Sequence, residues 1–333
     1  MKSRLAIVWI LLCLWAPTAL AMQGATSKAQ QKKISAELAE LYSVDQKDQE
    51  LWDQLSEQEL ETRRKTRRDR VAEFVTLGQL SKSEDDCFAS WLLQHGDDHN
   101  DILIAHLLAS AASFDGYTKS DFMVAAALDR YMLHFKHPQR FGSQTFDEQG
   151  KDFGDTSKLL CDSIVKLYRG NSTGLNGRKV EPGVQTNKAL KTASRRLAKI
   201  AKKAEVYAKK DDEKGIAEWS AAQEETLKII EQGLLKEADD YYNAALILQQ
   251  CVGADYKLTA HIMAMTAGIL KHKKARALYV QTLDEFLMEI GTPPLFAKYK
   301  KPEADASAPA IGILVPKILI LHADLRRVFT KKK

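Results

Sequence analysis

The chain of 333 residues contains only four cysteines. Cys13 lies in an apolar stretch near the amino terminus, which leaves Cys87, Cys161 and Cys251 for the folded protein. Three thiols can form at most one internal disulfide and leave one thiol over. The composition therefore excludes a disulfide scaffold and leaves open which of these thiols pair.

Signatures of common enzyme classes are also missing. The sequence has no Gly-x-Ser-x-Gly nucleophile motif, no phosphate-binding loop, no dinucleotide-binding fingerprint and no paired-cysteine zinc motif. No segment alternates apolar and polar residues clearly enough to be predicted as a strand. We therefore predict an all-α protein and predict no cofactor.

Long apolar runs are absent too. The runs at 5–15 and 311–321 are shorter than the ~20 residues that a membrane-spanning helix needs, so we predict no transmembrane span. The first run follows Lys2 and Arg4 and ends near Ala19-Leu20-Ala21. This pattern predicts a signal peptide at 1–21, with an uncleaved anchor as the alternative. We expect a periplasmic or secreted protein.

The charge balance argues against a nucleic-acid partner. The net charge is +5, and loss of Lys2 and Arg4 with the signal peptide lowers it to +3. So small an excess does not by itself imply nucleic acid, and aromatic residues are not interleaved with the basic ones. The basic run 63–70 lies beside Glu57, Glu59 and Glu61, which favours ion pairs within one helix.

A second basic segment, 188–210, carries nine basic residues and one acid, with apolar residues at helical spacing. Such a helix can make peripheral contact with an anionic membrane or bind an acidic partner. It can also be a solvated face whose apolar stripe packs in the core. The stripe consists mostly of alanine, leucine and isoleucine, which favours the second interpretation.

The chain matches itself at an offset of 155 residues. Residues 84–145 align without a gap to 239–300, with 14 identities in 62 pairs. The pairs include Ala105-His106 with Ala260-His261 and Leu128-Asp129 with Leu283-Asp284. Helical patterning alone would not easily reproduce these dipeptides, so we predict two diverged copies of one helical repeat domain.

Each copy is predicted to contain three helices, at about 85–95, 101–114 and 120–135 in the first copy. A long charged helical region precedes each copy, at about 27–80 and 186–235. The predicted organisation is a signal peptide at 1–21, a first unit at 22–169, a linker at 170–185, a second, degenerate unit at 186–301, and a breaker with a C-terminal helix at 302–333.

Two polar residues are kept in both copies: His106 with Asp129, and His261 with Asp284. Because a carboxylate on an apolar helix face needs a partner, we predict a hydrogen bond within each pair. A structural role is the favoured interpretation, and a catalytic base oriented by an acid is the alternative.

Other polar residues occur in the first copy alone, and most of them fall in the loops after its first and third helices. These loops lie at the same end of an up-down-up bundle, so they could form one polar pocket. The residues are His95, Asp97, Asp98, Arg130, Gln139, Arg140, Gly142 and Gln144, which become Gln250, Val252, Gly253, Glu285, Pro294, Leu295, Ala297 and Tyr299.

The same segments carry a family resemblance. Residues 91–97, 128–130 and 139–144 resemble a bacterial helical domain family of unknown function with Gln-His-x-Asp, Asp-Arg and Gln-x-Tyr-Gly-Thr-Gln motifs. Phe141 and Ser143 depart mildly from that pattern. The resemblance covers under a fifth of the chain and implies a helical domain without an established activity. It makes candidate functional positions of His95, Asp97, Asp129, Arg130, Gln139, Gly142 and Gln144.

The leading functional hypothesis is an exported protein that binds a protein or envelope component, with a ligand pocket in the first unit. The alternative is a hydrolase in which His95 and Asp97 perform acid–base chemistry and Arg130 holds an anionic substrate. A zinc or manganese site at His95, Asp97, Asp98, His99 and Asp101 is disfavoured, because their spacing is looser than that of zinc motifs.

Overall fold

The computed structural model describes residues 27–51, 53–96, 98–144, 160–169, 186–210 and 212–296. Within these ranges the fold is all-α, as predicted, and no strand occurs. Eleven α-helices are present in this part of the chain: α1 (Lys28–Glu50), α2 (Glu57–Thr76), α3 (Ser83–Leu93), α4 (His99–Asp115), α5 (Asp121–His134), α6 (Asp162–Arg169), α7 (Asn187–Tyr207), α8 (Glu213–Glu231), α9 (Ala238–Gln249), α10 (Ala254–Ile269) and α11 (Ala275–Glu289).

Local sequence explains where several helices begin. The hydroxyls of Ser27, Ser56 and Thr186 each accept a hydrogen bond from the backbone N–H three residues further on. Such caps satisfy donors that the first helical turn leaves unpaired. The Ser56 cap divides the predicted helical region 27–80 into α1 and α2, and an Asp212 cap likewise separates α7 from α8.

The two halves of the chain repeat the same contacts 155 residues apart. We call 27–144 the N-terminal half and 186–296 the C-terminal half. Asp85 accepts hydrogen bonds from the backbone N–H groups of residues 81 and 82, and Asp240 from those of residues 236 and 237. Gly78 and Gly233 both have a φ of 64°. The duplication itself stays our interpretation of this recurrence.

The halves meet where α4 contacts α10. His106 Nε2 lies 3.1 Å from His261 Nε2, and Ser110 Oγ lies 3.9 Å from the sulfur of Met265. Both pairs join positions 155 residues apart, as occurs at the centre of a two-fold interface. Gly268 is needed here, because a Cβ at that position would lie 2.5 Å from the ring of Phe114.

Charged groups close the edges of this junction. Lys271 Nζ and Arg276 Nη2 both donate to the carbonyl oxygen of Phe114, in the last turn of α4. Cations at a helix carboxyl terminus stabilise its unpaired carbonyls and its dipole. On the opposite side, buried Arg140 donates to Asp255 in the first turn of α10 at 2.5 Å. These contacts fix the two halves relative to each other.

Other predictions can be placed on this fold. Ala193, Leu197 and Ala204 of the basic helix are buried, and this helix packs against α9. Cys87, Cys161 and Cys251 are free thiols. Among the residues described, no helix combines the length and apolarity needed to cross a bilayer. The predicted signal peptide, the linker at 170–185 and the segment at 302–333 lie outside the described residues.

Candidate functional site

His95 lies just after α3, and its side chain is 16% exposed. Nη1 of Arg130, from α5, lies 3.5 Å from Nδ1 of the imidazole and donates to the carbonyl oxygen of Gln94 at 2.6 Å. The other ring nitrogen, Nε2, lies 3.2 Å from the side-chain amide of Gln49 and 3.9 Å from the carboxylate of Asp45. Both neighbours are N–H donors, and a neutral imidazole has only one acceptor nitrogen, so it can accept a hydrogen bond from only one of them.

The two N-terminal helices supply much of this cluster. Buried Arg67 of α2 donates to Asp45 at 2.9 Å and to Asp48 at 2.7 Å, both on α1. Arg68 donates to the carbonyl oxygen of His95 at 3.0 Å and to Glu61 at 2.7 Å. These ion pairs tie α1 and α2 to the loop after α3, which places His95 between three helices.

This contribution of α1 and α2 was not predicted from the sequence. The basic run 63–70 was expected to pair within one helix, and such pairs do join Arg63 to Glu59 and Lys65 to Asp69. The prediction was wrong for Arg67, whose ion pairs in the described structure are both with α1. One signal could have revealed it: the acids at 45 and 48 are three residues apart, so they share a helix face and need cations opposite.

Four arginines lie close to His95, and the carboxylate of Asp45 lies 3.9 Å from its Nε2. Burial, reinforced by the charges of Arg130 and Arg64, lowers the pKa of His95 to about 3. The imidazole is therefore neutral throughout the physiological range. Arg64 has no ion-pair partner among the residues that the structure describes. Burial also raises the pKa of Asp45, although the adjacent Arg67 acts in the opposite direction.

The loop 139–144 is organised around Asp129. This fully buried carboxylate accepts hydrogen bonds from the backbone N–H groups of Arg140 (2.7 Å), Phe141 (3.0 Å) and Ser143 (2.8 Å), and from the Ser143 hydroxyl (2.8 Å). Burial raises the pKa of Asp129, and these donors oppose that change. Four donors on one carboxylate hold the loop closed against α5.

The remaining motif residues stabilise the same loop. The buried side-chain amide of Gln139 donates to the carbonyl oxygen of Gln144 and accepts from its backbone N–H, both at 2.9 Å. The Gln144 amide donates to the carbonyl oxygen of Ala126 at 3.3 Å. Gly142 has a φ of 61°, a conformation that glycine adopts without strain. The motif thus builds a compact loop, whereas His95 and Arg130 form a separate group with α1 and α2.

The predicted hydrogen bond between His106 and Asp129 is wrong. His106 Nδ1 faces the carbonyl oxygen of Val124 at 3.0 Å and its Nε2 faces His261. His261 Nδ1 correspondingly lies 3.3 Å from the carbonyl oxygen of Tyr279. Asp284 accepts from the backbone N–H groups of residues 295 and 296. Each histidine therefore contacts a backbone carbonyl oxygen, and each aspartate accepts backbone N–H groups. The two histidines contact each other, and neither contacts an aspartate.

The C-terminal half replaces the Arg130 cluster by an internal network. Glu285, at the position equivalent to Arg130, accepts from the Gln249 amide at 2.7 Å and from Lys257 Nζ at 3.2 Å. Lys257 also donates to the carbonyl oxygen of Gln249, the counterpart of Gln94. Both halves thus place a cation on the same helix-terminal carbonyl, and in the C-terminal half Glu285 pairs with that cation.

Metal binding finds no geometric support in the described part of the chain. There, no three His, Cys, Asp or Glu side chains converge on a common point. Asp97 lies outside the described residues. Comparison with protein-family models, curated proteins and solved structures finds no match to this chain. The family resemblance therefore stays a prediction.

Proposed function

We propose that this chain is an exported binding protein of the cell envelope whose N-terminal half recognises an anionic group of a ligand or partner beside His95. The observation that carries the proposal is a group of guanidinium groups beside a partly exposed imidazole, one of which, Arg64, has no carboxylate within ion-pair distance in the described ranges. Arg130, Arg64 and Arg68 all lower the pKa of His95. Arg64 itself is half-buried and has no carboxylate partner within the described ranges.

The chemistry of these groups suits a carboxylate or phosphate. A guanidinium presents two parallel N–H donors that match the oxygens of such an anion, and charge-assisted hydrogen bonds of this kind are the strong ones. A bound anion would also offset the repulsion between neighbouring guanidinium groups. The neutral imidazole adds a polar contact at the same place. Arg64 is the residue that we expect to contact the anion.

The hydrolase alternative has less support. A general acid or base works best when its pKa lies near the working pH. A pKa of about 3 keeps His95 unprotonated at neutral pH, so it cannot donate a proton there and is a weak base. These properties suit a fixed hydrogen-bonding group in a binding site better than a proton-transfer group.

The test uses the chain without residues 1–21, purified from the periplasm. Native mass spectrometry should show a bound anionic ligand as excess mass that is lost on denaturation. In parallel, inorganic phosphate and benzoate should raise the Tm of the wild type and should have little effect on Arg64→Gln. Lys273→Gln is the matched control, because it removes an exposed positive charge from the other half. An unchanged response in Arg64→Gln would overturn the proposal.

A second readout follows the imidazole directly. A neighbouring anion favours the protonated form of histidine, so saturation with the stabilising anion should raise the pKa of His95. Nitrogen-15 chemical shifts of the ring report this pKa. A bound anion that leaves the His95 signals unchanged would place its site elsewhere.

A further inference from the structure

Helix α7 carries an unusual excess of unpaired positive charge. It contains seven basic residues and one acid, Glu205. Only Arg196 forms an ion pair in the described structure, with Glu225 of α8 at 2.9 Å. Within the described residues, the other six basic side chains have no carboxylate partner; they are Lys188, Lys191, Arg195, Lys199, Lys202 and Lys203.

Five of these cations form one straight row. Lys188, Lys191, Arg195, Lys199 and Lys202 are separated by three, four, four and three residues, which places them on one face of the helix. All five are exposed, and the opposite face buries Ala193, Leu197 and Ala204. At 1.5 Å per residue the row is about 21 Å long. We call these five residues the cation row.

The equivalent helices of the N-terminal half have no such row. Helices α1 and α7 correspond at an offset of 159, which aligns the caps Ser27 and Thr186 and the buried faces of the two helices. The positions of α1 that then correspond to the cation row are Ala29, Lys32, Ala36, Glu40 and Ser43. Helix α1 carries four lysines interspersed with five acids, and five of the six arginines and lysines of α2 are paired with carboxylates. Among these helices, a continuous row of exposed cations is therefore found on α7 and not on α1 or α2.

Apolar side chains are exposed at the end of the row. Val206 continues the spacing of the row one turn after Lys202 and is 62% exposed. Ile216, in the first turn of α8, is 53% exposed. Lys209 and Lys214 flank these two side chains. Exposed apolar residues among lysines at one end of a basic helix are typical of segments that lie on a membrane surface.

We propose that the cation row of α7 binds the anionic headgroups of a phospholipid bilayer, with Val206 and Ile216 entering the interface. The five cations share one exposed helix face, so they can meet a flat array of negative charges together, and Lys188 and Lys199 also line the groove between α7 and α8. A single small anion could meet only one or two of them. Each lysine or arginine near an anionic bilayer strengthens partitioning about fivefold, and salt screens this attraction.

The test measures sedimentation of the chain lacking residues 1–21 with vesicles of phosphatidylcholine alone or with about a third phosphatidylglycerol. We expect binding to the anionic vesicles at low salt and its loss at high salt. The variant Lys191→Gln/Arg195→Gln/Lys199→Gln should bind roughly a hundredfold more weakly, from three factors of about five.

The matched control is Lys33→Gln/Lys47→Gln/Lys65→Gln, which removes the same charge from the N-terminal half. It should change binding by less than about fivefold. Equal losses in both triple variants would show that net charge alone is responsible and would overturn the proposal. Absence of wild-type binding to anionic vesicles would also overturn it, as would binding to an acidic protein that vesicles do not displace. Since the row lies outside the His95 cluster, Arg64→Gln should bind vesicles like the wild type.

Discussion

The two halves of this protein keep one set of contacts and change another. The kept set lies inside the bundle, where Asp85 and Asp240 cap equivalent helices and Asp129 and Asp284 hold equivalent loops. The changed set lies at its polar edges. Glu285 stands at the position equivalent to Arg130, and α7 carries an exposed cation row, whereas α1 and α2 are joined by ion pairs.

This difference separates packing from recognition. A buried carboxylate that satisfies several backbone N–H groups cannot change without leaving those donors unpaired, so both halves retain it. A partly exposed cation can be replaced whenever the local charge balance is restored, as Lys257 and Glu285 show. The positions that differ between the halves are therefore where specific binding is to be sought.

The largest loss of stability is expected when a carboxylate that both halves share is removed. Asp129→Ala leaves three backbone N–H groups and the Ser143 hydroxyl without their acceptor, and should cost about 3–5 kcal/mol of unfolding free energy. Asp284→Ala should be similarly damaging. Urea unfolding monitored by circular dichroism measures both, with exposed Asp69→Ala as the control. A cost below about 1 kcal/mol for Asp129→Ala would remove the argument that this residue builds the loop.

The histidine pair at the junction should make stability depend on pH. Burial lowers the pKa of His106 to about 4 and lowers that of His261 as well. At pH values between that pKa and the ordinary histidine pKa of ~6.5, the histidine binds a proton in the unfolded chain but not in the folded chain. The unfolding free energy should therefore fall as the pH drops from about 6.5 to 4, by about 3 kcal/mol from His106 alone.

Denaturation of His106→Leu/His261→Leu across the same pH range tests the source of this dependence. The double variant should show a flatter profile than the wild type, whereas His134→Gln, which changes an exposed histidine, should not. An unaltered profile in the double variant would assign the pH dependence to other groups, His95 among them.

A smaller effect on stability is expected when the contacts of Arg130 are exchanged for those that Glu285 and Lys257 make in the C-terminal half. Arg130→Glu removes the charged hydrogen bond to the Gln94 carbonyl and should cost about 2 kcal/mol. Adding Ile102→Lys, the counterpart of Lys257, should recover at least half of that loss, because the introduced ammonium can reach both the introduced carboxylate and the carbonyl. A double-mutant cycle measures this coupling. If the effects of the two substitutions on the free energy of unfolding simply add, the two sets of contacts are not interchangeable.

The smallest effect concerns two helix ends. Lys136 has a φ of 58°, and its equivalent Gly291 has a φ of 75°. Side chains other than glycine are strained in this region, so Lys136→Gly should stabilise the protein by about 0.5–1 kcal/mol and Gly291→Lys should destabilise it similarly. Differential scanning calorimetry resolves both changes. Shifts of the same sign in the two variants would break the equivalence of these helix ends.

Much of the fold follows from local sequence. The helical spacing of apolar residues predicts three helices at 85–95, 101–114 and 120–135, with Gly116 ending the second and Pro138 following the third. These are close to the observed α3, α4 and α5. The all-α class follows because no segment alternates with a period of two. The offset of 155 residues further predicts which positions are interchangeable, since equivalent environments tolerate the same residues.

The partners of polar side chains were decided by the tertiary structure. Periodicity places His106 and Asp129 on buried helix faces, but it does not reveal that His106 meets His261 while Asp129 accepts the N–H groups of a loop. It likewise gives no sign that α1 and α2 surround His95. Hydrogen bonds between elements depend on how helices cross, and that geometry is set by packing of whole surfaces rather than by any local pattern. Sequence alone thus determined the helices, and packing determined which charges meet.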